Sequence, residues 1–405
     1  MVMKQQVIGW MMALGIVVSL GAPAWAEDKK PLKDLLVDKG VITKEDAAGV
    51  QDTALAKWID LIKFSGDLRI RHESFFYSGA PATVDRSRQR FRLRVGSDIK
   101  IKDFTVVIRL ASGSGEAVST NQSFDNLFTQ KALWIDRAYI VWQGSNTKWL
   151  KLNAGRMANP FFVVYSGDIV WDDDVNPEGF AENINAKVGE KTVLFVNLGQ
   201  MIMDEDSGDN HDQWLFGQQI GVTVEPAGNV KATLAAAYYD ALNTGRNTLS
   251  QNPVQQGNSR TGGGVLINRY KVADVALAVT VNTGSLPVAV MGDYVRNLAD
   301  TTNGAGVATG NVGYQLGAIL GRADDANTFE VAYFFKNVQT DATLADISDS
   351  DFGNGGIDRR GHIMWAAYNP MKYVQLKVKY FITETDTPNV VGDVNRVQAD
   401  VSVKF

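Results

Sequence analysis

Three histidines and no cysteine leave few routes to covalent or acid–base catalysis in this 405-residue chain. A hydrolase needs a nucleophile and a base poised together. His72 follows Leu68 and Ile70 at every second position, which gives it the phase of apolar residues. His211 stands in an acidic stretch, and His362 has no Ser or Asp in register with it. Enzymatic chemistry is therefore not expected. The lack of cysteine also excludes disulfide scaffolds, zinc-thiolate sites and a lipid anchor on an N-terminal cysteine. Asp172-Asp173-Asp174 and Asp204-Glu205-Asp206 offer oxygen ligands to a hard cation, but neither has calcium-loop spacing, and both read as solvated acidic loops. Gly113-Ser114-Gly115 and Gly262-Gly263-Gly264 lack a following Lys and a strand-to-helix context, so no phosphate cradle is expected. No cofactor and no metal is called for.

The residues with the largest physical consequence are arginines at even spacing. Residues 88–95 read Arg-Gln-Arg-Phe-Arg-Leu-Arg-Val, with Arg88, Arg90, Arg92 and Arg94 on one face of a strand. Phe91, Leu93 and Val95 take the other face. The same period of two recurs in Val275-Leu277-Val279-Val281, Tyr314-Leu316-Ala318-Leu320 and Phe329-Val331-Tyr333-Phe335. It returns in Val374-Leu376-Val378-Tyr380-Ile382, and the last strand sets Val397, Ala399, Val401, Val403 and Phe405 against Arg396, Gln398, Asp400, Ser402 and Lys404.

The connections between these strands alternate in length. Long polar stretches are expected at about 75–86, 112–131, 157–181, 201–213, 241–262, 283–311, 337–356 and 384–393. Brief turns are expected at Ser97–Asp103, Gly144–Thr147, Gly189–Lys191, Pro226–Asn229, Val272–Asp274, Gly321–Asp325 and Asn369–Met371. This segregation marks an all-β fold, a transmembrane antiparallel β-barrel of about 16 strands with both ends in the periplasm. Ordinary bulk composition fits, with 45% hydrophobic and 21% charged residues and a mean hydropathy of −0.12, because barrel strands show apolar residues at alternate positions only. An Arg facing lipid at midplane costs about 2–4 kcal/mol, so the four-arginine face must point inward. Charge of that density needs water around it. A barrel of this size has room for a water-filled lumen. Trp134, Trp142, Trp149, Tyr238, Tyr270, Tyr314, Tyr373 and Tyr380 suit the interfacial girdles.

Residues 1–26 read as a secretion signal, with Lys4, an apolar Val7–Leu20 stretch and Ala24-Trp25-Ala26; an N-terminal anchor is the alternative. Residues 27–62 carry the helical spacing of Leu32, Leu35 and Leu36, then Val50, Leu55, Trp58, Ile59 and Ile62, and read as a periplasmic helical segment or a linker. Residues 63–405 would form the barrel. A net charge of −5 on an exported chain gives no support to nucleic-acid binding.

Several motifs in this order resemble the bacterial family of "putative porins". They are Leu35-Leu36-Val37-Asp38-Lys39-Gly40-Val41-Ile42-Thr43, the arginine-rich second strand, Asp136-Arg137-Ala138-Tyr139, Ala154-Gly155-Arg156 with Asn159-Pro160-Phe161, and Trp171-Asp172 followed by Asn176-Pro177-Glu178-Gly179. The closing Val401, Val403 and Phe405 resemble the C-terminal signal read by the barrel assembly machinery. The resemblance implies a sixteen-stranded pore related to general diffusion porins, usually a homotrimer, in the outer membrane of a Gram-negative-type bacterium. Its surroundings would be lipid and lipopolysaccharide, and its cargo ions and small hydrophilic solutes. In such porins the third external loop folds inward against a basic wall. Here that loop is 157–181, carrying Asp168, Asp172, Asp173, Asp174 and Glu178, and the alternative is an external cap. Closure of the barrel would set Lys377, Lys379 and Arg396 beside Arg69, Arg71, Arg88, Arg90, Arg92, Arg94 and Arg109. The Pro-Glu-Phe-Gly type segment of enterobacterial porin loops is absent; Pro177-Glu178-Gly179-Phe180 is a loose echo. An anion- or substrate-selective channel and a structural barrel are the other readings.

Overall fold

The computed structural model describes residues 43, 61–79, 84–165, 167–208, 211–249, 257–284, 286–386 and 392–405. The chain divides into two units, Met1–Ile62 and Lys63–Phe405. The expected signal and the helical segment of 27–62 lie almost wholly outside the described residues.

The described chain is a closed antiparallel sheet of sixteen long strands and one two-residue strand. In order these are β1 (Ile62–Ser78), β2 (Arg86–Ile101), β3 (Phe104–Ala111), the short β4 (Gln122–Ser123), β5 (Trp134–Trp142) and β6 (Leu150–Arg156). There follow β7 (Glu178–Lys187), β8 (Thr192–Asp204), β9 (Gln213–Ala227), β10 (Val230–Leu242), β11 (Tyr270–Asn282) and β12 (Pro287–Asn297). The last are β13 (Val312–Gly321), β14 (Thr328–Val338), β15 (Arg359–Met371), β16 (Val374–Thr385) and β17 (Asp393–Lys404). β17 pairs with β1 from Asp67↔Lys404 to Ser78↔Asp393. Gly66 and Phe405 extend that ladder with reciprocal backbone bonds of 2.8 and 3.0 Å. Closure leaves no unpaired edge, as hydrocarbon requires. Gly66 is needed there: a Cβ would lie 2.5 Å from the Phe405 ring.

Eight long connections share one rim: L1 (79–85), L2 (112–133, containing β4), L3 (157–177), L4 (205–212), L5 (243–269), L6 (298–311), L7 (339–358) and L8 (386–392). The opposite rim has tight turns, such as Lys102–Asp103 and Lys372–Tyr373, where Lys102 and Tyr373 take φ of 53° and 73°. Two sequence expectations fail between residues 262 and 311. The expected turn Val272–Asp274 lies inside β11, and the real turn falls at 283–286. The stretch 263–271, expected as a strand, is mostly L5, while β12 occupies part of the expected loop 283–311. The two errors cancel in the strand count.

Outside, Leu68, Val95, Ile108, Ile140, Leu194, Ile220, Leu234, Leu277, Leu316, Val331, Val378 and Val403 are exposed and form an apolar belt. Soluble monomers rarely expose contiguous apolar surface on this scale, and a lipid face requires it. Trp134, Trp149, Tyr314 and Tyr373 are exposed near strand ends, as a girdle should be. Tyr270 is not part of it. It is buried inside, donating its hydroxyl to Asp341 at 2.7 Å.

The interior is asymmetric. On the β8–β14 side, inward Met201, Leu215, Ala237, Tyr239, Val272, Val295 and Val338 pack against Phe161, Ile169, Val170 and Trp171 of L3 and Ala342, Leu344, Ala345 and Ile357 of L7. L5 holds L7 in place: Asp341 accepts from the Ser259 amide and hydroxyl (3.0 and 2.7 Å) and from Asn268 (2.9 Å), and Arg260 pairs with Asp346. Half of the barrel is therefore filled by its own loops, around an apolar core. Open space remains on the other half.

Candidate pore constriction

The open half is lined by β17, β1, β2 and β3, whose alternation turns one row of each strand inward. On β1 the inward row is Asp67, Arg69, Arg71, Glu73 and Phe75, between Leu68, Ile70 and His72 on the outward row. Acids on these strands meet most of the arginines. Glu73, fully buried, faces four guanidiniums: Arg88 at 2.6 Å, Arg71 at 3.4 Å, Arg90 at 3.7 Å and Arg396. Asp67 takes Arg92 (2.9 Å) and Arg94 (2.7 Å), Asp400 takes Arg71 through two bonds of 2.7 and 2.8 Å, and Asp136 takes Arg109. Asp67, Glu73, Asp136 and Asp400 were legible as inward by the same period of two, yet a search for runs of like charge passes over them. Lys377 and Lys379 stand over the faces of Trp365 and Phe381, 4.6 Å from the respective ring centres. Ten basic groups against four strand acids leave the wall net positive. Burying such pairs adds little stability, but removing one partner strands a charge.

L3 lies inside the barrel and is not an external cap. Asp174 approaches Arg94 at 3.6 Å and Arg92 at 3.9 Å, and accepts from the Thr120 amide and hydroxyl of L2. Asp172 is buried and accepts from the Ser350 amide of L7 at 2.7 Å, while its own amide donates to Ile347. Asp173, between them, is exposed to the open space. Desolvation by the surrounding wall, then the charge of Asp174, pushes its carboxyl up to about 6, against the pull of Arg92 and Arg69. Two acids expected at the constriction are elsewhere. Asp168 is buried on the far side of L3, capping the amides of Val170 and Trp171 at 2.9 and 3.2 Å, because the loop turns its apolar residues and this Asp toward β12–β14. Glu178 opens β7 near the rim, exposed and paired with Arg156 at 2.6 Å.

L7 is the element that the sequence reading missed. Its Asp351 reaches across to Arg396 (2.8 Å) and Arg71 (3.1 Å). Burial raises the Asp351 carboxyl, but Arg396 and Arg71 outweigh it and hold it well below the usual carboxylate range. Ser350 donates to the Val118 carbonyl at 2.8 Å, and Asn121 of L2 receives Arg69 on its side chain and Arg90 on its carbonyl at 2.6 and 2.8 Å. Only a weak sequence signal marked this loop, the run Asp346, Asp349 and Asp351 within a segment long enough to fold back.

Two cavities follow the basic wall. One of about 910 Å3 lies toward the loop rim, lined by Phe75, Arg86, Arg88, Arg90 and Arg396 on its basic side. One of about 750 Å3 lies toward the turn rim, lined by Asp67, Arg69, Arg71, Arg92, Arg94, Arg109, Lys377 and Lys379. They share Asn121, Ser350 and Asp351. L2 and L7 thus touch the wall where the two cavities adjoin.

A closed sheet with an apolar outside and a charged, hollow inside matches one protein class in comparison with known families. The model of the family described as "Putative porin" matches residues 79–262 and 247–405. The chain belongs to that family. No curated protein matches it. Among solved structures, the outer membrane channel DcaP of Acinetobacter baumannii is 15% identical, with a TM-score of 0.50 over 85% of this chain and 97% of that one. Pseudomonas putida OprB is 10% identical, with a TM-score of 0.56 over 87% of this chain and 96% of that one. These likenesses are of fold. This porin is an outer-membrane channel for the diffusion of solutes. His72 contacts Gln89 and Ser74, and His362 contacts the Tyr333 hydroxyl at 2.8 Å, both on the outward row.

Proposed function

We propose that ions and small hydrophilic solutes pass through this porin along the basic wall, with a mild preference for anions set where Asp351 and Asp173 face Arg69, Arg71, Arg90, Arg92 and Arg396. The observation that carries this reading is the pair of cavities meeting at Asn121, Ser350 and Asp351. Fixed charge in a narrow passage with low-dielectric walls enriches ions of opposite sign. The acids subtract from the field of the wall, so selectivity is modest. Planar-bilayer recordings test it. Stepwise conductance is expected, with reversal potentials in a salt gradient that move toward anions as pH falls from about 7 to about 5. Asp173, with its carboxyl at about 6, then gains a proton and the loop loses a negative charge. Asp173→Asn should show the low-pH selectivity at pH 7 and lose most of the pH response. An unchanged pH response in that variant counts against the assignment.

The remaining organisation belongs to the same reading. Residues 1–26 act as the export signal, 27–62 lie in the periplasm, and the barrel sits in lipid and lipopolysaccharide as a homotrimer. The tight turns then face the periplasm. Single cysteines introduced at Asn229 or Lys372 should resist a membrane-impermeant maleimide in intact cells; rapid labelling reverses the topology. Val401, Val403 and Phe405 form the terminal outward row that the assembly machinery would read. Deleting Phe405 should lower the folded outer-membrane level while export continues, and normal levels of folded protein would refute that role.

A further inference from the structure

Behind L3, away from the conducting wall, three buried oxygens have no hydrogen-bond donor: Asp274 Oδ1, Asp293 Oδ1 and Gln315 Oε1. Asp274 is on β11, Asp293 on β12 and Gln315 on β13, each at most 6% exposed. Asp293 pairs with Gln315 in the sheet register, and Gln315 with Lys336. Asp274 is diagonal to Asp293, whose direct partner on β11 is Ala276. Diagonal neighbours on one face lie within side-chain reach, and the two carboxyls here are within hydrogen-bond range of each other. Gln315 donates its amide to Asp293 Oδ2 at 3.3 Å, an orientation that leaves its own carbonyl oxygen without a partner.

The local charge does not balance. Lys336, the base in this row, is buried and already engaged by Asp349 at 2.9 Å and by the Asp168 carbonyl at 3.3 Å. Asp274 and Asp293 thus face each other with the Asp168 carboxyl as a third acid nearby and only the already paired Lys336 as base, in a region closed over by Ile169, Val170 and Trp171 of L3. Two carboxylates in that setting cannot both stay charged without compensation. One shared proton would satisfy two of the three orphan oxygens and half of the charge. A hard divalent cation would neutralise both charges, and two carboxylates with an amide carbonyl are the ligands such ions take.

We propose that Asp274, Asp293 and Gln315 form a binding site for a hard divalent cation of the calcium or magnesium type, which fastens the β11–β13 wall beneath L3. The site is separate from the Asp172-Asp173-Asp174 triplet, whose Asp174 is committed to Arg92 and Arg94.

The test uses the full chain, folded in detergent and stripped with EDTA at pH 7. Calcium chloride should raise the thermal unfolding midpoint saturably, and sodium chloride at equal ionic strength should not. Terbium should bind with emission sensitised by the adjacent Trp171 and Tyr239. Asp274→Asn with Asp293→Asn should abolish both responses, Gln315→Ala should weaken them, and Asp173→Asn should leave them intact. A wild type with no saturable metal response overturns the proposal, whether or not the double variant folds. Stability that rises as pH falls with no metal dependence also overturns it, in favour of a shared proton. Terbium emission that survives the double variant but is lost in Asp173→Asn moves the site to the acidic triplet and likewise overturns it.

Discussion

Replacing Asp351 with Ala is expected to raise the conductance of the open channel and shift its selectivity strongly toward anions. This carboxylate is the tip of L7, bonded to Arg396 and Arg71 at the place where the two cavities meet. Its loss removes both an obstruction and a negative charge. At roughly 8 Å and an effective dielectric of roughly 40, one unit charge is worth ~1 kcal/mol, about a fivefold change in local ion concentration. Glu73 and Asp400 still engage the two arginines, so the barrel should fold. L7 itself remains anchored through Asp341 and Asp346. Reversal potentials in a tenfold salt gradient provide the measurement. A variant whose conductance and reversal potential both match the wild type would place the conducting path elsewhere.

Arg90→Gln with Arg92→Gln should move selectivity in the opposite direction, toward cations. Arg90 lines the outer cavity and Arg92 the inner one, so the pair brackets the place where the two cavities adjoin. Their removal leaves Glu73 with Arg88 and Arg396 and leaves Asp67 with Arg94, which limits the structural damage. The released acids then add their own field, and two unit charges act together. The effect should shrink markedly between about 0.1 M and 1 M salt, because the screening length falls from about 10 Å to about 3 Å. Selectivity that ignores both substitutions at low salt would refute the role of the wall. A shift that persists undiminished at 1 M would point to steric change instead.

The structure also changes how the acidic triplet should be probed. Replacing Asp172, Asp173 and Asp174 together would remove the Ser350 and Thr120 contacts that tie L3 to L7 and L2. Any change in conductance would then mix electrostatics with loop collapse. Asp173 is the member that faces open space, and its single substitution isolates the charge.

Where one strand face meets hydrocarbon and the other meets water, the sequence by itself determined the outcome. β2 is the clearest case: four arginines cannot face lipid, so their phase sets the inside of the barrel. The same contrast made β16 and β17 legible, placed Lys377, Lys379 and Arg396 on the wall, and marked Val401, Val403 and Phe405 as outward. Long connections alternating with tight turns identified the barrel and its strand number. The contrast disappears where the inside is not wet. On β12 the inward row mixes Met291 and Val295 with Asp293 and Asn297, and the outward row mixes Val290 and Tyr294 with Arg296, so neither row is uniformly polar or apolar and the alternation is blurred. That is why the sequence pattern predicts loop where β12 lies. The cause is tertiary: L3 and L7 fold into the lumen and give the inward residues of β8–β14 an apolar partner in place of water. Which loops turn inward depends on bonds between residues far apart in the chain, such as Ser259 to Asp341 and Ser350 to Asp172. Local pattern carries no record of them. For the same reason the sequence set Asp168 beside Asp173 in one candidate loop, whereas the fold turns Asp168 toward β12–β14 and leaves Asp173 exposed to open space, since a side chain in a loop has no strand phase to say where it points.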